Sequence, residues 1–145
     1  MRRAGRINLM LVAVIVLGGF IGAVLFMGRE SMSSTCGRFL SALSSGDIDT
    51  LVATSYAGTK TPEEMRKEWE FTINEAAPYY RFIYKIENSR EQGSTGGSVA
   101  IRFWKNATSS GSYDEQFDIP MVKTDGGWKV DVRGISREMF PALPR

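Results

Sequence analysis

The chain has no histidine and a single cysteine, Cys36, among its 145 residues. A Ser-His-Asp triad, a histidine-based dehydratase dyad and any histidine-containing metal site are therefore excluded. One thiol cannot build a zinc site or an intramolecular disulfide, and no cofactor is expected. What remains for chemistry is carboxylates, tyrosines and indoles. The acids Glu87, Asp118 and Asp131 alternate with apolar residues along predicted strands, which points them away from the apolar face. An aromatic set, Trp69, Tyr84, Phe103 and Trp128, comes from separate elements that would share one interior. It could line a pocket for an apolar or aromatic ligand, with the Tyr84 hydroxyl and the indole N–H groups as polar handles. It could equally fill a core, since each such ring buries roughly 150 to 250 Å².

The opposite strand face carries Arg81, Ile83, Lys85, Arg102, Trp104 and Asp118. Trp104 is the outlier there, because a one-faced strand pattern leaves it solvated. A tryptophan beside Ile83, Arg81 and Arg102 reads as a contact surface for a protein partner or a second copy of the domain. The competing reading is an indole shielded by the stems of Arg81 and Lys85.

Periodicity supplies the elements that must position these residues. Cys36, Phe39, Leu40 and Leu43 fall on one helical face, and Gly46 offers a stop. Asp47 is a good N-cap for a short second helix with Ile48, Leu51 and Val52 inward. "TPEE" at 61–64 has the form of a capping box with proline at the first helical position, so a third helix starts at Pro62. Its stripe is Met65, Trp69, Ile73 and Ala76, running to a stop at Pro78. Beyond Pro78 the period becomes two. Tyr80, Phe82, Tyr84 and Ile86 form one strand face, followed by Val99, Ile101 and Phe103, then Phe117, Ile119 and Met121, then Trp128, Val130 and Val132. Glycine- and serine-rich turns separate them, and Asp125-Gly126-Gly127 makes the last hairpin. Pro120 inside the third strand predicts a bulge or an unpaired edge position. The expected fold is α+β: about three helices packed on a curved antiparallel sheet of about four strands, over residues 35–145.

Ahead of this domain, Ile7 to Met27 is a 21-residue run with thirteen Leu, Ile, Val or Phe residues, long enough to cross a bilayer as a helix. Its length favours an uncleaved single-pass anchor, with a cleaved signal peptide as the competing reading. Residues 1–6 would be cytoplasmic, because Arg2, Arg3 and Arg6 precede the run, and the domain would be extracytoplasmic at the cell membrane beyond a spacer at 28–34. Gly18 and Gly22 have the spacing of a helix-pairing motif. Without the residues flanking this run, 14 basic and 15 acidic side chains remain, so no nucleic-acid surface is indicated. "NAT" at 106–108 matches a glycosylation acceptor.

"RFLSALSSGDIDTLV", the helix after it and the closing hairpin "FDIPMVKTDGGWKVDV" resemble, in order, the nuclear transport factor 2-like superfamily over roughly residues 33–138. That resemblance implies a cone in which helices nestle into a bent antiparallel sheet. It also implies either of two kinds of function. One is a membrane-anchored binding or assembly module without catalysis, working with an envelope protein or as a homodimer paired through the sheet face. The other is a ligand carrier or isomerase-like enzyme using the cone interior. The isomerase chemistry of that superfamily resembles a carboxylate base working opposite a tyrosine and a protonated acid, and it would need an irregularity such as the one Pro120 suggests to turn Asp118 inward.

Overall fold

Ser31 accepts a hydrogen bond from the Ser34 N–H and starts helix α1 (Met32–Ser45), which Gly46 ends in the left-handed conformation at φ 75°. Glycine takes that φ without the clash a Cβ would cause. Asp47 caps α2 (Ile48–Thr54) by accepting from the Thr50 N–H and hydroxyl. α3 (Pro62–Ala76) carries both halves of the expected capping box, between Thr61 and Glu64. A 3-10 turn, Ala77–Tyr80, leads to the strands. The computed structural model describes residues 30–105 and 114–145, of which Ser31–Arg145 form one compact unit.

The sheet has five strands: β1 (Ser55–Tyr56), β2 (Phe82–Gln92), β3 (Gly96–Lys105), β4 (Asp114–Thr124) and β5 (Gly127–Asp131). Their order is β1-β5-β4-β3-β2, with β1 parallel to β5 and every other pair antiparallel. Alternation holds along β3 and β4: Val99, Ile101, Phe103, Ile119 and Met121 are buried. α1 lies on this inner face, against β5, β3 and β2, while α3 packs on α2. It is α1, not the third helix, that covers the sheet.

Several expectations need correction. The fold has no membrane-crossing helix among the described residues, where no helix is long and apolar enough, and the apolar run at 7–27 with its Gly18/Gly22 pair lies outside them. The "NAT" tripeptide also lies outside the described residues. The sheet has five strands rather than about four, because two residues after α2 pair with β5. α1 begins inside the stretch read as a spacer. Tyr80 belongs to the turn before β2, though it is buried.

Pro120 makes neither a bulge nor an edge. It stands in register opposite Ser98 in a central strand. Pairing between β4 and β5 begins at Met121, so on that side Pro120 lies just beyond the ladder, where a missing N–H is tolerated. Gly134 packs on its ring, and a Cβ there would come within 2.8 Å of Pro120 Cγ. The irregularity is instead in β2, whose register against β3 shifts between Ile86 and Asn88 and leaves Glu87 as the extra residue.

The segment after β5 has no periodicity to announce it, yet it supplies Ile135, Met139, Phe140 and Leu143 to the core. The Phe140 ring lies 5.1 Å from that of Phe82, 5.8 Å from Phe103 and 5.8 Å from Tyr80. The Tyr80 hydroxyl donates to the Pro141 carbonyl, which ties this plug to the turn before β2.

Candidate functional site

The four interior aromatics do not meet around one space. Trp69 is fully buried, packed edge-on against Phe39 of α1 at 5.9 Å, and its indole N–H donates to Ser55 Oγ at 2.9 Å. Ser55 in turn donates to the Leu51 carbonyl. Phe103 is also fully buried, among Phe82, Phe117 and Phe140. Tyr84 is half-buried, with its hydroxyl donating to the Gly37 carbonyl at 2.9 Å and lying 2.7 Å from Ser41 Oγ. Trp128 shares the parity of Val130, as expected, but sits half-exposed at the hairpin end with the Lys123 ammonium 5.8 Å from its ring centre. The polar handles of Trp69 and Tyr84 are thus spent on the fold itself.

No carboxylate hydrogen-bonds to the Tyr84 hydroxyl among the described residues, although Asp47 lines the same groove. Asp118 opposes Ala100 and is exposed on the outer face, since no bulge turns it. Glu87 makes an ion pair with Arg102, Oε1 to Nε 3.0 Å, short in distance but outside hydrogen-bond geometry, and accepts from Gln116 at 3.4 Å. Asp131 accepts from the Arg133 main chain and guanidinium. The arrangement that carboxylate-base isomerisation needs is not assembled by these groups. Burial without a compensating charge pushes the Cys36 thiol up to about 12, so it is protonated and unreactive at neutral pH. The same cause raises the Tyr80 phenol to about 12.

A groove of about 430 Å³ runs along the polar side of α1, lined by Ser33, Ser34, Arg38, Ser41, Asp47 and Tyr84 with others. It lies outside the packed interior and takes only Tyr84 from the interior aromatic set.

The outer sheet face does bring its predicted residues together. Ile83 and Trp104 are direct cross-strand partners, and Lys85 opposes Arg102 in the next outward position. Arg81 precedes them with the same parity, just before the strand begins. Ile83 is 58% exposed, Trp104 is half-buried beside it, and Arg81 and Lys85 are exposed. Neither of these two cations has an ion pair among the described residues, whereas Arg102 is held by Glu87. β2 is the edge of the sheet among the described residues, so the patch adjoins a strand edge that the bulge at Glu87 interrupts. Sequence reasoning placed Glu87 outward but missed its bulge and its pairing with Arg102, which depend on a register shift, and it overlooked Phe71, an apolar residue interrupting the polar side of α3.

No family model matches the chain, and no curated protein matches it. It is similar in structure to a ketosteroid isomerase-like protein from Erwinia carotovora atroseptica, with a TM-score of 0.47, 12% identity, and 68% of this chain and 87% of that one covered. An NTF-2 like protein of unknown function from Shewanella oneidensis follows, with a TM-score of 0.45, 12% identity, and 66% and 88% covered. A protein with a cystatin-like fold from Nostoc punctiforme has a TM-score of 0.44, 17% identity, and 66% and 80% covered.

Proposed function

We propose that the domain is a binding or assembly module without catalytic activity, and that its contact surface is the outer face of β2 and β3. The observation that carries this reading is the Ile83–Trp104 pair, an apolar patch left partly open on a face otherwise given to charge. Burying it would remove apolar area from water at roughly 25 cal/mol per Å². Arg81 and Lys85 on its flank would steer and orient a partner rather than supply most of the affinity. The partner is an envelope protein or a second copy of the chain. Location at a membrane, on its outer side, is part of the proposal and is supported only by the composition of residues 1–29.

Crosslinking recovery of partners from intact membranes, with the native chain and with Trp104→Asp, tests the proposal. A contact surface at Trp104 predicts loss of the recovered species with folding intact. Recovery unchanged by Trp104→Asp overturns it.

A further inference from the structure

The outward side chains of β3 change size along the strand. Trp104 and Arg102 fill one end, whereas Ala100, Ser98 and Gly96 follow toward the β2–β3 turn, alternating with inward residues that include the buried Val99 and Ile101. Small residues on a middle strand leave a trough between its two neighbours, whose backbones stand roughly 10 Å apart. Asn88, Arg90 and Gln92 of β2 form one bank, Asp118 of β4 stands on the other, and Ser98 and Ala100 are the floor. The space between them is about 80 Å³.

The bulge in β2 is what brings Arg90 to this bank. Before it the outward residues of the strand are odd-numbered, as in Ile83 opposite Trp104 and Lys85 opposite Arg102. Beyond the extra residue Glu87 they are even-numbered, with Asn88 opposite Ala100 and Arg90 opposite Ser98. A one-residue shift exchanges the faces of every later side chain, so an uninterrupted strand would have turned Arg90 to the other face.

The polar groups around the trough are not spent on the fold. Among the described residues neither Arg90 nor Asp118 makes an ion pair, although both line the same small space. The Gln92 and Ser98 side chains have no hydrogen bond there either, and Asn88 uses only its amide oxygen, which accepts from the Ser89 N–H. One row away the charges are closed, since Glu87 pairs with Arg102, and Lys85 of that row is outside the lining. Glu91 opposes Gly97 and has the other parity. The lining thus holds one cation and one anion, on opposite banks of an uncharged floor.

A ligand with a single charge satisfies one bank and meets repulsion from the other. We propose that the trough binds the head of an α-amino acid, with its carboxylate on the Arg90 guanidinium and its ammonium on the Asp118 carboxylate. The planar guanidinium fork matches a carboxylate in two parallel hydrogen bonds. The space is far below the ~300 Å³ at which pockets enclose a drug-sized molecule, so it takes the head group and leaves the amino-acid side chain in solvent. The site lies at the opposite end of β2 and β3 from Ile83 and Trp104, and it stands whether or not that pair contacts a partner.

The test is ligand-observed NMR titration of the full chain with glycine. Its controls are N-acetylglycine, which lacks the ammonium, and glycine methyl ester, which lacks the carboxylate. Saturable binding of glycine is expected, weaker by tenfold or more for each control. Arg90→Gln and Asp118→Asn, both at exposed positions, should each lose tenfold or more. Ala100→Leu, which fills the floor, should abolish binding with the urea midpoint retained, and Trp104→Asp should leave binding unchanged. No saturable binding of glycine, equal binding of either control, or binding that survives both Arg90→Gln and Asp118→Asn would each overturn the proposal.

Discussion

The two faces of β2 and β3 are built from alternate residues of the same strands and have opposite fates. On the inner face, Phe82 and Phe103 meet Phe140, which comes from the segment after β5, and the rings pack edge-on or tilted against one another in the buried core. On the outer face, Ile83 and Trp104 meet each other, and among the described residues Ile83 is left exposed. In a domain this small the inner aromatics are needed for stability, because the fraction of surface that can be buried is low. In the proposed reading, recognition falls to the face that the helices do not cover.

The largest effect should come from removing the plug. Phe140→Ala is expected to destabilise the domain by about 3 to 5 kcal/mol in urea unfolding, as for other buried phenylalanines. A loss below about 1 kcal/mol would mean that the interior is loosely filled and the contrast between faces is overstated. Ser55→Ala should cost about 1 to 3 kcal/mol, because it strands the buried Trp69 indole N–H, and its check is the same unfolding midpoint.

An alkaline titration sharpens the comparison further. The Cys36 thiol and Tyr80 phenol both hold their protons more tightly in the folded chain, with values raised to about 12. Their contribution to stability is fully present below the ordinary thiol and phenol values and is lost as pH rises toward 12. The urea midpoint should fall across that window, and Cys36→Ala should remove the part that begins lowest. At the other extreme, Ile83→Asp should change stability by less than about 0.5 kcal/mol, as an exposed substitution away from caps and core. A larger loss would show that the outer patch supports the fold rather than a partner.

How much of this was legible depends on the kind of signal. Gly46, Asp47, Thr61 and Glu64 are caps, whose chemistry is local, and each does what its position in the sequence implies. The alternations through Val99–Phe103 and Phe117–Met121 are equally local, and they put the inner face where it is. The plug was not legible. Met139 and Phe140 sit in irregular backbone, where burial follows no period, so only the fold reveals that they complete the core. β1 is two residues long and exists only because β5 offers it an edge. Pro120 misled because its cost depends on which neighbour its nitrogen would have faced. Among the candidate residues, the outer set Arg81, Ile83, Arg102 and Trp104 was readable because it depends on strand parity alone. The convergence imagined for Trp69, Tyr84, Phe103 and Trp128 depended on which helix lies on the sheet, and that is α1.

The central claim is that the outer patch is a contact surface while the interior is closed. A photo-crosslinking side chain at position 83, irradiated in intact membranes, tests it most directly, with the same side chain at exposed Glu63 as control. The account predicts a discrete adduct from position 83, absent from position 63 and lost when Trp104→Asp is added. No adduct at 83, or one that survives Trp104→Asp, would contradict it.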